Sequence, residues 1–183
     1  MIHNTAEIKS THIGDGTDIW QFVVILEEAV IGKYCNINAH VFIENDVIVG
    51  NHVTVKSGVQ LWDGLRIHDH VFIGPNVTFT NDKNPRSKKY PDRFQETIIH
   101  EHASIGAGAV ILGGRQIGAY SLVGAGSVVT KNVPERALVA GTPAKITGWV
   151  NEDGSRMEAD QNGHWIDDKG HKWIQKENKL VSI

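Results

Sequence analysis

Ile31-Gly32-Lys33-Tyr34-Cys35-Asn36-Ile37-Asn38-Ala39-His40-Val41-Phe42-Ile43 states the rule of the whole chain. An aliphatic residue recurs at every sixth place, and a small or apolar residue follows four places later, here Cys35 and Val41. Outward from this stretch the beat runs through Ile13, Ile19, Ile25, Ile31, Ile37, Ile43, Val49, Val55, Leu61, Ile67, Ile73 and Phe79. After a gap it resumes at Ile99, Ile105, Ile111, Ile117, Val123 and Val129. Six residues cannot bury a face alone, so such units must coil and stack, three to a turn, into a parallel β-helix. The expectation is that the aliphatic points inward, the small residue fills the corner, and the glycine that often follows the aliphatic (Gly14, Gly32, Gly50, Gly74, Gly106, Gly118, Gly124) supplies unusual backbone angles. Arg115 breaks the rule by occupying a corner slot meant for a small residue, where it must escape outward or find a partner.

The gap between Phe79 and Ile99 is an insertion of 14 residues, and the loop is placed at 80–97. It holds five basic and three acidic residues, against three basic and eight acidic in residues 12–79. A basic excursion beside an acidic body suits a small anionic ligand. The formal net charge of −3 argues against nucleic acid as a partner. No apolar run approaches the roughly 20 residues of a membrane span, and the N-terminus has no charged-then-apolar leader, so a cytoplasmic location without a membrane partner is expected. The single cysteine, Cys35, sits in a corner slot and reads as core. The repeat fades after Val129. Residues 1–150 are read as the β-helix, and 151–183, with turn signals at Asp153-Gly154, Asn162-Gly163 and Lys169-Gly170, as a small β-meander.

Residues 18 apart should lie above one another, which lines up Glu44 with Trp62, Asn45 with Asp63 and Asn81, and Phe22 with His40, Gly58 and Asn76. The first two columns converge on the inserted loop, beside an outward Trp62, and that is where a site is expected. The pairs His68-x-His70 and His100-x-His102 admit another reading, because alternating strand residues share a face and each pair would offer two metal ligands. Solvated surface histidines are the plainer alternative.

The hexads resemble those of the left-handed β-helix acyltransferases. More specifically, Asn36 to Asn45, Val55 to Gly64, Phe72 to Asp82 and Pro85-Arg86-Ser87, in that order, resemble the N-acetyltransferases of nucleotide-linked 3-amino sugars. Trp62-Asp63 and Asn81-Asp82 are closest to the branch acting on dTDP-3-amino-3,6-dideoxyhexoses, whereas the tail is similar to a sister branch acting on a UDP-linked 3-amino glucuronate. The resemblance implies a left-handed prism, a homotrimer with sites between copies, acetyl-CoA as co-substrate without a metal, and a role in surface glycans such as O-antigen or S-layer glycan.

It also implies roles for particular residues. His40 is the candidate for taking the amine proton and Asn81 for orienting the amine or the thioester. Gln60, Trp62, Glu44 and Asp82 would meet the sugar or base, and Lys83 and Arg86 the diphosphate. Gly108, Ala125 and Gly126 would flank the pantetheine, with Lys131, Thr142, Pro143, Ala144 and Lys145 near the nucleotide end of coenzyme A. A prism of a different class, the zinc-dependent carbonic anhydrases, would use the histidine pairs instead.

Overall fold

The chain forms three flat faces of short parallel strands that meet at three corners. The computed structural model describes all 183 residues. The first face stacks Asp18–Ile19, Asn36–Ile37, Thr54–Val55, Phe72–Ile73, Ser104–Ile105 and Leu122–Val123. The second stacks Glu7–Ile8, Val24–Ile25, Phe42–Ile43, Gln60–Leu61, Thr78–Phe79, Val110–Ile111 and Val128–Val129. The third stacks Val30–Ile31, Val47–Val49, Leu65–Ile67, Thr97–Ile99 and Gln116–Ile117. Partners lie one coil apart in register, as in Val24 with Phe42 and Ile25 with Ile43. No helix is long and apolar enough to cross a membrane.

The alternation of the strands drives this shape: in the two-residue strands the second residue points inward and the first outward, and in the three-residue strands of the third face the middle residue points outward. Every aliphatic of the two runs is buried except Ile13, on the first coil. The small residues four places on, from Thr17 to Ala109, are buried with them, and a single apolar cluster of 34 residues runs the length of the prism. Cys35 belongs to it, and burial pushes its thiol above the ordinary range. Full burial of one such aliphatic is worth ~1.5–3 kcal/mol, so the column accounts for the register of the stack.

The glycines act differently from the expectation. None of the seven that follow an aliphatic has a positive φ. They are needed because coil lies directly on coil: a Cβ on Gly14 would stand 2.5 Å from the Gly32 carbonyl carbon, and one on Gly106 would stand 2.5 Å from the Ala125 nitrogen. The left-handed backbone falls two residues later, at Phe22, His40 and Asn76 on one corner and Tyr34, His52 and His70 on another. Arg115 is half-buried in its corner slot, and its Nε has neither solvent nor a hydrogen-bond partner; nothing in the structure explains it.

The insertion leaves the prism at the corner between the second and third faces. Thr97 already belongs to the returning strand, which pairs with Leu65–Ile67, so the excursion ends at residue 96. At the far end Ala137–Gly141 extends the first face and Ala144–Trp149 turns back on it antiparallel, closing that edge. Four antiparallel strands follow, Glu158–Ala159, Trp165–Ile166, Lys172–Lys176 and Lys179–Ser182. Trp149 and Met157 join the core, and Trp165 and Leu180 pack against it, so this sheet covers the last coil. The Trp149 Nε1–H donates to Gln175 Oε1 at 3.3 Å across the junction.

Candidate active site

His40 stands on the corner between the first and second faces. Its φ of 62° turns the side chain out of the prism, where the ring is exposed and stacks on Phe22 with centroids 5.1 Å apart. Below it the same corner carries Gly58, Asn76, Gly108 and Gly126, all with positive φ. A Cβ added to Gly108 or Gly126 would meet nothing within 4 Å. Beneath His40 the Asn76 side chain lies against Gly58, and only from Gly108 onward does the corner become a bare backbone ledge. At the strand spacing of ~4.8 Å, Gly108 lies about 14 Å below His40.

The ledge leads to the terminal hairpin, whose Gly141 N–H donates to Ser127 Oγ at 3.2 Å. Thr142 and Pro143, joined by a cis peptide, form the hairpin tip. Beside it is the largest cavity of the molecule, about 570 Å³, lined by Lys131, Pro143, Ala144 and Lys145 together with Trp149 and Trp165. The expected coenzyme A residues thus divide into Gly108, Ala125 and Gly126 on the ledge, Thr142 at its end, and the other four around this cavity. Two lysines in such a cavity suit phosphates, and a Cβ-free ledge suits a thin, unbranched chain. Acetyl-CoA fits both.

The other expected residues gather on the corner between the second and third faces. Burial pushes the Glu44 carboxyl above its ordinary range, with the nearby Asp63 charge adding to this; the Asp63 N–H, donating to Glu44 Oε2 at 2.7 Å, opposes it. Asp63 Oδ1 accepts from the Asp46 N–H at 2.7 Å. Asn81 Nδ2–H donates to the Asp63 carbonyl at 3.1 Å, which ties one half of its amide to the turn below and leaves Oδ1 as its acceptor for anything outside. Trp62 is half-buried against the core and leans on Phe42 at 5.7 Å, so it is less outward than expected. Gln60 lies on the second face between the two corners, its Nε2–H donating to the Gly58 carbonyl at 3.1 Å.

The loop itself encloses a basin of about 340 Å³. Asn81, Asp82, Lys83 and Arg86 line it, and so do Lys89, Tyr90, Arg93 and Gln95, which residue-by-residue reading did not single out. The excess of bases in the loop was the available signal for Lys89 and Arg93. Asp82 Oδ1 accepts from the Asn84 N–H at 2.8 Å, shaping the turn. Arg86 Nη1–H donates to the Pro85 carbonyl at 2.8 Å while its side chain stays exposed.

The structure unites the polar residues around the loop, and separately the ledge and the terminal cavity. It does not unite His40 with Asn81. They occupy opposite edges of the second face, with Phe42, Gln60 and Thr78 spread between them. The histidine pairs also part: His68 and His70 do not act together, and each meets its counterpart on the next coil instead.

Comparison with known proteins shows the family. The family model described as bacterial transferase hexapeptide (six repeats) matches residues 96–131. The dTDP-3-amino-3,6-dideoxy-alpha-D-galactopyranose 3-N-acetyltransferase of Aneurinibacillus thermoaerophilus is 53% identical over 158 residues, covering 86% of this chain and 82% of that protein. A hexapeptide-repeat acetyltransferase from Vibrio cholerae, solved in complex with acetyl coenzyme A, superposes with a TM-score of 0.53 at 29% identity, over 75% of this chain and 70% of that one. A maltose O-acetyltransferase from Clostridium difficile gives a TM-score of 0.58 at 25% identity, over 66% and 68% of the two chains.

Proposed function

This chain belongs to the hexapeptide-repeat N-acetyltransferases of nucleotide-linked amino sugars, and we propose that it transfers the acetyl group of acetyl-CoA to the 3-amino group of a dTDP-3-amino-3,6-dideoxyhexose. The observation that carries this reading is the combination on one prism of a corner that bears the exposed His40 imidazole and, further along, Cβ-free backbone at Gly108 and Gly126, with a basic basin at the opposite edge of the same face. The galacto sugar is the preferred substrate, since the 53% identical relative is named for it.

In the reaction the neutral sugar amine attacks the thioester carbonyl, a C–N bond forms, and the oxyanion collapses as the C–S bond breaks. One proton leaves the amine and one is taken up by the departing thiolate, so His40 can receive the first and return the second. Its exposed ring, stacked on Phe22, stands on the same corner as the ledge along which the thioester arm would run. Asn81 presents Oδ1 to the amine. Lys83 and Arg86 meet the diphosphate, where a guanidinium fork matches phosphate oxygens. Glu44, Gln60, Trp62 and Asp82 complete the sugar and base contacts.

Because His40 and Asn81 sit a face apart, the working site forms where the ledge of one copy meets the loop corner of another. A homotrimer around the prism axis satisfies this for all three copies at once. The product is a building block for surface glycans, made in the cytoplasm.

The experiment is thiol release from acetyl-CoA with a panel of acceptors: dTDP-3-amino-3,6-dideoxygalactose, its gluco epimer and a UDP-linked 3-amino glucuronate. The highest kcat/KM is expected with the galacto sugar. Turnover confined to the UDP sugar, or no turnover with any of the three, overturns the assignment.

A further inference from the structure

The corner between the third and first faces carries two histidine columns with opposite geometry. Residue 67 to residue 99 spans one coil plus the insertion, so the loop restores the register and His68 comes to lie over His100 just as His70 lies over His102. His70 and His102 are stacked, with centroids 4.7 Å apart and an interplanar angle of 4°. Stacked rings hold their nitrogen lone pairs in parallel planes, so the pair cannot converge on one point. His68 and His100 share the same two coils, yet their rings meet edge to face at 76° with centroids 5.1 Å apart.

Beside this edge-on pair stands the Glu101 carboxylate. His68 Nδ1 and Glu101 Oε2 are 3.5 Å apart, and one ligand atom from each of His68, His100 and Glu101 lies within 4.8 Å of the others. A tetrahedral zinc ion with bonds of ~2.0–2.2 Å sets neighbouring ligand atoms roughly 3.3 Å apart. One edge of that tetrahedron is thus nearly in place, and the remaining closure of up to about 1.5 Å falls on the half-exposed His68 and Glu101 side chains and the partly exposed His100. A depression of about 380 Å³, lined by Ile48, Gly50, Ile67, His68, Asp69 and Glu101, leaves room for a water as fourth ligand.

We propose that His68, His100 and Glu101 form a three-ligand site for a borderline divalent cation of the Zn²⁺ class, on a different corner from His40 and separate from acetyl transfer. Two imidazoles and one carboxylate are a ligand set that zinc accepts with water in the open position. The expected pairing along the strand, His68 with His70, is replaced by pairing across coils.

The test is titration of chelator-treated protein with Co²⁺ by absorption and with Zn²⁺ by calorimetry. One ion per chain is expected. His68→Ala, His100→Ala and the isosteric Glu101→Gln should each weaken binding at least tenfold, whereas His70→Ala should bind as the parent does. The acetylation rate should be the same with and without chelator. Absence of saturable binding, binding that survives His68→Ala and Glu101→Gln, or binding lost in His70→Ala overturns the site. Loss of acetylation on chelation would overturn its separateness.

Discussion

Two corners of this prism use the same backbone for opposite purposes. Between the first and second faces the left-handed position is filled by Phe22, His40, Gly58, Asn76, Gly108 and Gly126. Between the third and first faces it is filled by Tyr34, His52, His70, His102, Tyr120 and Arg136. In the second series every ring lies on the next at 4.6–5.1 Å, and Arg136 continues the column by covering Tyr120 at 5.0 Å and reaching Trp173 at 5.7 Å. That corner is a closed stack running from the prism into the C-terminal sheet. The first series starts as a stack, Phe22 on His40, and past Asn76 empties into glycine. The difference teaches that the hexad sets only where a side chain projects; whether the corner braces or binds depends on what projects there.

The sharpest way to break this comparison is to remove the head of the open corner. His40→Ala should lower kcat by about 10²–10⁴-fold, the usual range for a general base, with the melting temperature nearly unchanged. Wild-type turnover in that variant would reduce His40 to a surface residue. Next in size is filling the ledge. Gly126→Phe should cost about a hundredfold in kcat/KM for acetyl-CoA, ~2.7 kcal/mol, and lower stability by only the ~1–2 kcal/mol that a non-glycine residue loses at a φ of 68°, since its Cβ meets nothing within 4 Å. An unaltered KM would show that the acyl donor runs elsewhere.

On the closed corner the same operation should act on stability instead. His70→Ala removes two stacked contacts and should cost ~1–2 kcal/mol, a fall of about 2–8 °C in Tm, without loss of turnover in the surviving folded protein. Arg86→Ala, across the second face, should raise the KM for the nucleotide sugar by about tenfold with kcat retained, the size of one lost charge-assisted contact. An equal fall in kcat would move Arg86 into the chemistry.

The mildest expected effect lies where the stack meets the tail. Asp160 is lowered to about 2, first by the His164 backbone N–H. Burial pushes Asp167 upward, but hydrogen bonds from His171 and Trp173 outweigh it and hold it also at about 2. Both carboxyls are therefore more acidic in the folded tail than in an unfolded chain. Their stabilisation is complete above the ordinary carboxylate pKa near 4 and is lost as pH falls toward 2. Tryptophan fluorescence from Trp165 and Trp173 should report loosening of the tail in that window, relieved in Asp160→Asn with Asp167→Asn, which no longer titrate.

The period of six made the prism legible from the chain alone, and with it the inward column, the corner slots and the excursion near residue 80. The columns 18 apart correctly brought Glu44, Asp63 and Asn81 to one corner and His40 over Phe22. Less was legible where a role depends on contact between coils. The glycines after the aliphatics were expected to bend the backbone, but they make room for the neighbouring coil. Lys89, Tyr90 and Arg93 share the basin with Arg86 because of the path of an irregular loop, and no repeat announces that path.

Sequence by itself determined how the chain coils, because burying one aliphatic per six residues leaves a single register in which every such side chain but Ile13 is dry. Only the tertiary structure decided that His68 faces His100 while His70 stacks on His102, and that His40 and Asn81 stand on opposite edges of one face. Those relations depend on ring orientation and on the 14 residues absorbed by the loop, which set one coil 32 residues from the coil it stacks on, as in Phe72 with Ser104, before the spacing of 18 returns in Ser104 with Leu122.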